Sequence, residues 1–231
     1  MQRLLDEHLE KLKTRIIKMC SLVDEQVQLA IKAVEEDNLE IAQSVIEMDK
    51  KVDKFDVKID KICQKIFALS QPVAMDLRYI MSSLTINNNL ERIGDIAVNI
   101  SENILLIKKK PAFFSDTKLT EMFKIAKQML KNTIDSFITE NADLAREVIL
   151  SDEVIDRMNA ENHKILKAIM KQSPENIEAG LALFIISRQI ERLADHSTNI
   201  AEDVFFIVES KMIKHKYEKY LFTEDKEDED E

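Results

Sequence analysis

The stretch LERIGDIAVNISEN, Leu90 to Asn103, returns as IERLADHSTNIAED, Ile190 to Asp203. Glu91, Arg92, Asp95, Asn99, Ile100 and Glu102 recur as Glu191, Arg192, Asp195, Asn199, Ile200 and Glu202, a match too long to attribute to composition. One building block has been duplicated. It contains no proline and spaces Ile93, Ile96, Ile100, Ile104 and Ile107 three or four residues apart, the period of an amphipathic helix. At about 100° per residue, Glu91, Asp95, Asn99 and Glu102 fall within roughly 80° of one another, on the face opposite those isoleucines. The plain explanation is a solvated polar face. Such a face usually mixes acids with lysines that offset their repulsion, whereas this stripe keeps Glu, Asp, Asn and Glu in both copies. The expectation is that something sits on it.

Composition narrows the fold class. Two glycines and three prolines in 231 residues leave little turn chemistry, and 45% apolar residues at helical spacing point to an all-α protein of few, long helices. No apolar run reaches the roughly 20 residues of a membrane span, and LALFIIS at Leu181 to Ser187 is closed by Arg188. The start, MQRLLDEHLEKLKTR, has no apolar signal core, so a cytoplasmic protein is expected. Cys20 and Cys63 lie in helical apolar patterns and read as core thiols. A net charge of −10 argues against nucleic acid as a partner, because phosphate-backbone binding depends on neutralisation by Lys and Arg.

Taken in order, the chain predicts helices over about Leu4 to Glu35, Leu39 to Ser70 and Val73 to Lys109, closed by Pro111. A second set follows over about Thr117 to Thr139, Ala142 to Lys171 and Asn176 to Ser210, with the turn marked by Ser173 and Pro174. This gives two tandem three-helix bundles related by internal duplication, residues 1–110 and 112–210. Residues 211–231 form a C-terminal extension whose acidic end, TEDKEDEDE, is expected to be disordered.

The second helix of each half adds more acids. Asp49, Asp53, Asp56 and Asp60 lie within about 60° of one another, and their repulsion would be relieved by a cation. Aligning Asp152 and Asp156 with Asp49 and Asp53 brings Asn159 onto Asp56 and His163 onto Asp60, so each position keeps an oxygen or nitrogen donor. In an up-down-up bundle the second and third helices are antiparallel neighbours. Asp49 and Asp53 should therefore converge with Glu91 and Asp95, and Asp152 and Asp156 with Glu191 and Asp195. Carboxylates with little His and no Cys suit iron, manganese, magnesium or calcium better than a structural zinc. The inward Glu-x-x-His pairs of a di-iron oxidase are absent, as are a glycine-rich phosphate loop and a nucleophile with an attendant base, so no enzyme activity is expected. Arg92 and Arg192 either pair with these acids or face an anion.

The E-R-I/L-G/A-D-x-x-x-N-I block in two copies, the D-x-x-x-D segment ahead of each, and QPVAMDLR between them closely resemble the PhoU family. The resemblance spans about Leu4 to Ser210. It implies paired three-helix bundles with surface metal sites, most often iron clusters, with manganese, magnesium or zinc as other occupants. The positions that match are Asp49, Asp53, Glu91, Asp95, Asp152, Asp156, Glu191 and Asp195. It further implies a negative regulator of phosphate uptake and of the phosphate-starvation response. Such a protein relays the state of a phosphate ABC transporter to a sensor histidine kinase, meets the membrane only through partners, and leaves room for a homodimer. The second half departs from the pattern, with SPENIEAG in place of QPVA-DLR, so a role of Arg78 does not transfer to Arg188. A different reading of the same acids is a metal-storage or metal-dependent phosphate-handling protein.

Overall fold

A computed structural model describes residues 2–211 and residue 213. Among these residues there are six long α-helices and no strand: α1 (Gln2–Glu36), α2 (Leu39–Leu69), α3 (Ala74–Ile107), α4 (Leu119–Thr139), α5 (Ala142–Gln172) and α6 (Ile177–Glu209). Short 3-10 turns at Ala112–Asp116 and Pro174–Asn176 lead into α4 and α6. The acidic segment at residues 223–231, read above as disordered, lies outside the described residues.

The helix ends follow from local chemistry, and the two halves repeat it. Asn38 caps α2 by accepting the Ile41 N–H at 3.1 Å, and Asn141 caps α5 by accepting the Leu144 N–H at 3.0 Å. The residue before each cap turns the chain through the left-handed region, Asp37 at φ 53° and Glu140 at φ 52°. Lys108 and Ser210 close α3 and α6 in the same conformation, at φ 58° and 60°. Lys110 then returns to the end of α1, where its ammonium reaches the Val34 and Glu35 carbonyls and its N–H meets Asp37 Oδ1 at 2.7 Å. Those carbonyls are the unpaired ones of the last helical turn, so a cation there is doubly favoured.

Helices α1, α2 and α3 pack on one another, as do α4, α5 and α6. The seam of α1 is fully enclosed at Leu12, Ile16, Met19, Val23 and Ala30, and so are Val52, Ile59 and Ile66 of α2. The two bundles are joined by α3 and α6, which lie along each other and merge the two interiors into one continuous apolar core. The pair is antiparallel. Arg78 near the start of α3 sits 5.7 Å over the ring of Phe206 near the end of α6, while Asn89 meets His196 at mid-length.

That packing corrects one expectation. The spacing predicts a stripe that faces away from the core in both halves, and Glu102 is exposed. Glu202, however, is only 5% exposed. Both α3 and α6 pack against three helices, so the same position of the repeat is open on one and covered on the other. Buried hydroxyls on these two helices turn onto their own carbonyls, Ser101 to Ala97 at 2.9 Å and Ser197 to Leu193 at 2.8 Å.

Three substitutions test the helix ends. Asn38→Ala and Asn141→Ala should each lower stability by about 1 kcal/mol. Lys108→Gly should raise it by several tenths to about 1 kcal/mol, because glycine adopts positive φ without strain. Urea denaturation followed by circular dichroism reads both signs.

Candidate metal centre

The acids named from the sequence gather along the seam between the second and third helices of each bundle. In the first half Asp49 feels the charges of Asp53 and Asp95, and Glu91 those of Asp95, Asp56 and Asp53. In the second half Asp152 feels Asp195 and Asp156, and Asp195 feels Glu191 and Asp156. Burial is the larger cause in every case and like charge adds to it, so the carboxyls of Asp49, Glu91 and Glu191 rise above their ordinary range. Asp152 and Asp195 are pushed up to about 6. Both effects penalise the ionised acid.

The two halves are not held alike. In the first, Gln26 of α1 donates to Asp49 Oδ1 at 3.1 Å and to the Val45 carbonyl at 3.3 Å. Gly94 leaves the room for this: a Cβ there would lie 3.2 Å from Gln26 Oε1 and 3.3 Å from Asp49 Oδ1. Asn87 of α3 gathers the lower pair, donating to Asp56 Oδ1 at 2.7 Å and to Asp60 Oδ1 at 3.1 Å. Arg92 sits 3.2 Å from Asp95 and 3.4 Å from Glu91, which settles its role as an ion-pair partner.

In the second half, Thr198 donates to Asp152 Oδ1 at 3.4 Å and Ala194 stands where Gly94 was. Asn159, aligned with Asp56, is 6% exposed and accepts from Ser187 at 2.8 Å. Asn162 donates to the same Ser187 at 3.1 Å and accepts the Lys118 N–H at 2.6 Å. Asn159 therefore belongs to an interior polar network. His163 stacks on Phe184 at 4.1 Å and is held below its usual range, by burial first and then by Arg188. The alignment that gave Asn159 and His163 a donor at each position does not carry them to the same surroundings as Asp56 and Asp60.

Sequence reasoning missed Gln26, Asn87 and Thr198. Gln26 carried a signal, as a polar residue inside the apolar row Met19, Val23, Val27 and Ala30. His196 lies beside the site. Its Nδ1 is 2.8 Å from Asn89 Oδ1, which also accepts from Asn199 at 3.5 Å, while the Asn89 amide donates to the Thr85 carbonyl. The imidazole thus carries its proton on Nδ1. Burial, then Arg192 and Arg92, disfavours a second proton. Cys20 and Cys63 are enclosed, and burial pushes both thiols to about 12.

Whether the acids suit a metal rests on their chemistry. They supply hard oxygen donors. Glu191 Oε2 is shut from solvent with no hydrogen-bond partner, and repulsion raises the affinity of each neighbour for any positive charge. Among the described residues, no three His, Cys, Asp or Glu side chains are arranged to hold one ion as they stand. The donor set fits a cation; the side chains are not closed around one.

The repeated helical unit also has counterparts among known proteins. The PhoU domain family matches residues 16–104 and again residues 119–204. The chain belongs to the PhoU family. A phosphate-specific transport system accessory protein PhoU homolog of Aquifex aeolicus is 35% identical over 211 residues, covering 91% of this chain and 96% of that one. A homolog of Thermotoga maritima is 32% identical over 210 residues, covering 90% of each. In three dimensions the chain is similar to the crystal structure of PhoU from Pseudomonas aeruginosa, with a TM-score of 0.85 at 30% identity over 89% of this chain and 99% of that one. The phosphate transport system regulatory protein PhoU from Streptococcus pneumoniae gives 0.83 at 26% identity, over 90% and 98%.

The electrostatics of this PhoU-family site set a pH signature. Asp152 and Asp195 titrate near 6 in the folded chain and start from 3.8, so the folded state holds extra protons between about pH 4 and 6. The stability this brings is full at low pH and is lost as pH rises through about 6. In chelator-treated protein, Asp152→Asn combined with Asp195→Asn should match wild type near pH 4 and become the more stable of the two above about pH 6. Urea denaturation across that range measures the crossover.

Proposed function

We propose that this chain is a cytoplasmic, non-enzymatic regulator of phosphate uptake and of the phosphate-starvation response. It works by contact with components of a phosphate transporter and with a sensor histidine kinase. The observation that carries the reading is the pair of carboxylate seams, one per bundle, on a chain whose relatives are phosphate-specific transport system accessory proteins. No helix among the described residues is long and apolar enough to cross a membrane, so contact with a transporter would be made from outside the bilayer.

In this reading, Asp49, Asp53, Glu91 and Asp95 hold metal in the first bundle, and Asp152, Asp156, Glu191 and Asp195 hold it in the second. Iron fits this donor set, as do manganese and magnesium. The metal would supply positive charge that offsets the repulsion along each seam. Gln26 orients Asp49 and Thr198 orients Asp152, as outer residues do around bound metals. The halves 1–110 and 112–210 each supply one such seam to the partner surface.

Two experiments test this. Asp95→Ala combined with Asp195→Ala should sharply reduce metal retained through dialysis while leaving the helical circular dichroism signal unchanged; equal metal content would remove these acids from the site. For regulation, a starvation-gene reporter should rise in a deletion strain grown at high phosphate. A variant with Glu91, Asp95, Glu191 and Asp195 all changed to alanine should restore repression less well than wild type at matched protein level. Unchanged reporter output on deletion would overturn the regulatory reading. Metal retention without any regulatory effect would favour storage instead.

A further inference from the structure

Helix α2 carries a second charged row. Lys51, Lys54, Lys58, Lys61 and Lys65 lie within about 80° of one another, centred roughly 150° around the helix from the aspartate row. The acids turn toward α3, where Asn87 meets Asp56 and Asp60, and the lysines turn away from it. On α1, Lys11, Arg15 and Lys18 share a strip within about 60°. Between the two helices lies an open groove of about 430 Å³, walled by Lys18, Lys51, Lys54 and Lys58 and floored by Leu22 and Phe55. The wall lysines are exposed and the floor residues half-buried, so apolar surface is recessed below the charges. Glu25 is the one acid on the wall. None of the four wall lysines has an ion-pair partner among the described residues. In a chain of net charge −10, this is a concentrated cationic strip with an apolar floor.

The strip belongs to the first bundle. The register that sets Asp152 on Asp49 puts Glu121 on Lys18, Val154 on Lys51, Glu161 on Lys58 and Ala168 on Lys65, so the counterpart face is mixed in charge. The shape of the groove selects among anionic partners. A flat bilayer would meet the lysine heads and leave the recessed Leu22 and Phe55 uncovered, whereas a ridge of side chains reaches them. Helix surfaces offer no free backbone N–H or C=O to pair with an extended strand, while a docked helix satisfies its own backbone. Contacts from Gln26 to Asp49 and from Arg15 to Phe55 show that α1 and α2 run antiparallel, and the furrow between two such helices accepts the ridge of a further one. The row from Lys51 to Lys65 runs about 21 Å along α2, roughly four helical turns. Charge then sets the composition of the incoming face: apolar anchors over the floor and carboxylates on the shoulders, opposite the lysines.

We infer that the α1–α2 groove is a docking site for an acidic amphipathic helix of a protein partner, with its apolar side chains on Leu22 and Phe55 and its carboxylates against the lysines. The site lies on the side of α2 away from the carboxylate seam, so docking needs no metal.

The probe is a fluorescein-labelled, stapled synthetic helix of about four turns, with leucines along one face and glutamates flanking them, titrated with the full chain and read by anisotropy. Wild type should bind it about tenfold more tightly than the triple variant Lys51→Glu, Lys54→Glu and Lys58→Glu, and about tenfold more tightly than it binds the same helix with serines in place of the leucines. The same charge change at Lys164, Lys167 and Lys171, exposed on α5, should leave binding at the wild-type level. If the groove variant loses helical circular dichroism, Lys→Gln at the same three positions replaces it. Equal binding by wild type and the groove variant, or of the leucine and serine probes, would overturn the proposal. Sedimentation of wild type, but not of the groove variant, with phosphatidylglycerol vesicles, in the absence of helix binding, would overturn the protein partner and assign the face to an anionic bilayer.

Discussion

The contact between α3 and α6 is the constraint on which the rest of the molecule depends. A three-helix bundle of about 100 residues can enclose one stripe per helix, and here each third helix must cover a second stripe as well. The long helices α3 and α6 do so by lying antiparallel along each other, so two modest cores become one. Asn89, His196 and Asn199 then register the two helices by hydrogen bonds at the middle of the contact.

This arrangement decides what the acids can do. Each carboxylate seam lies between the second and third helices of its bundle, and the third helix is anchored on its far side by the other bundle. The acids are thus presented by a rigid backbone, half-buried, with like charges close by. Burial raises the carboxyl pKa values more than repulsion does, and the second half feels this most, at Asp152 and Asp195. In the first half Gln26 and Asn87 donate to the acids and oppose the shift. Duplicated positions have therefore acquired different electrostatics through unduplicated neighbours.

Charge is also divided around α2. Aspartates face α3 and lysines face outward beside α1, so one helix presents an acidic seam and a basic groove. The two rows lie roughly 150° apart around the helix, so the lysines do not neutralise the aspartates.

Much of the fold was legible in one dimension. The apolar periodicity and the prolines act within a turn or two of chain, so the six helices lie close to where the pattern puts them. The duplication and its acids were likewise plain from the repeated block. What the tertiary structure alone decided is which polar residues are interior. Asn89 and His196 are 107 positions apart, and no local pattern pairs them. Serine, asparagine and glutamate on a helix read as solvent-facing until a second helix covers them, so Glu202 is buried where the repeat placed it on an outward stripe, and Asn159 is interior where the alignment made it a donor beside the acids. Periodicity reports one apolar face per helix; a helix that packs on two sides with hydroxyls and amides satisfied internally leaves no such signal.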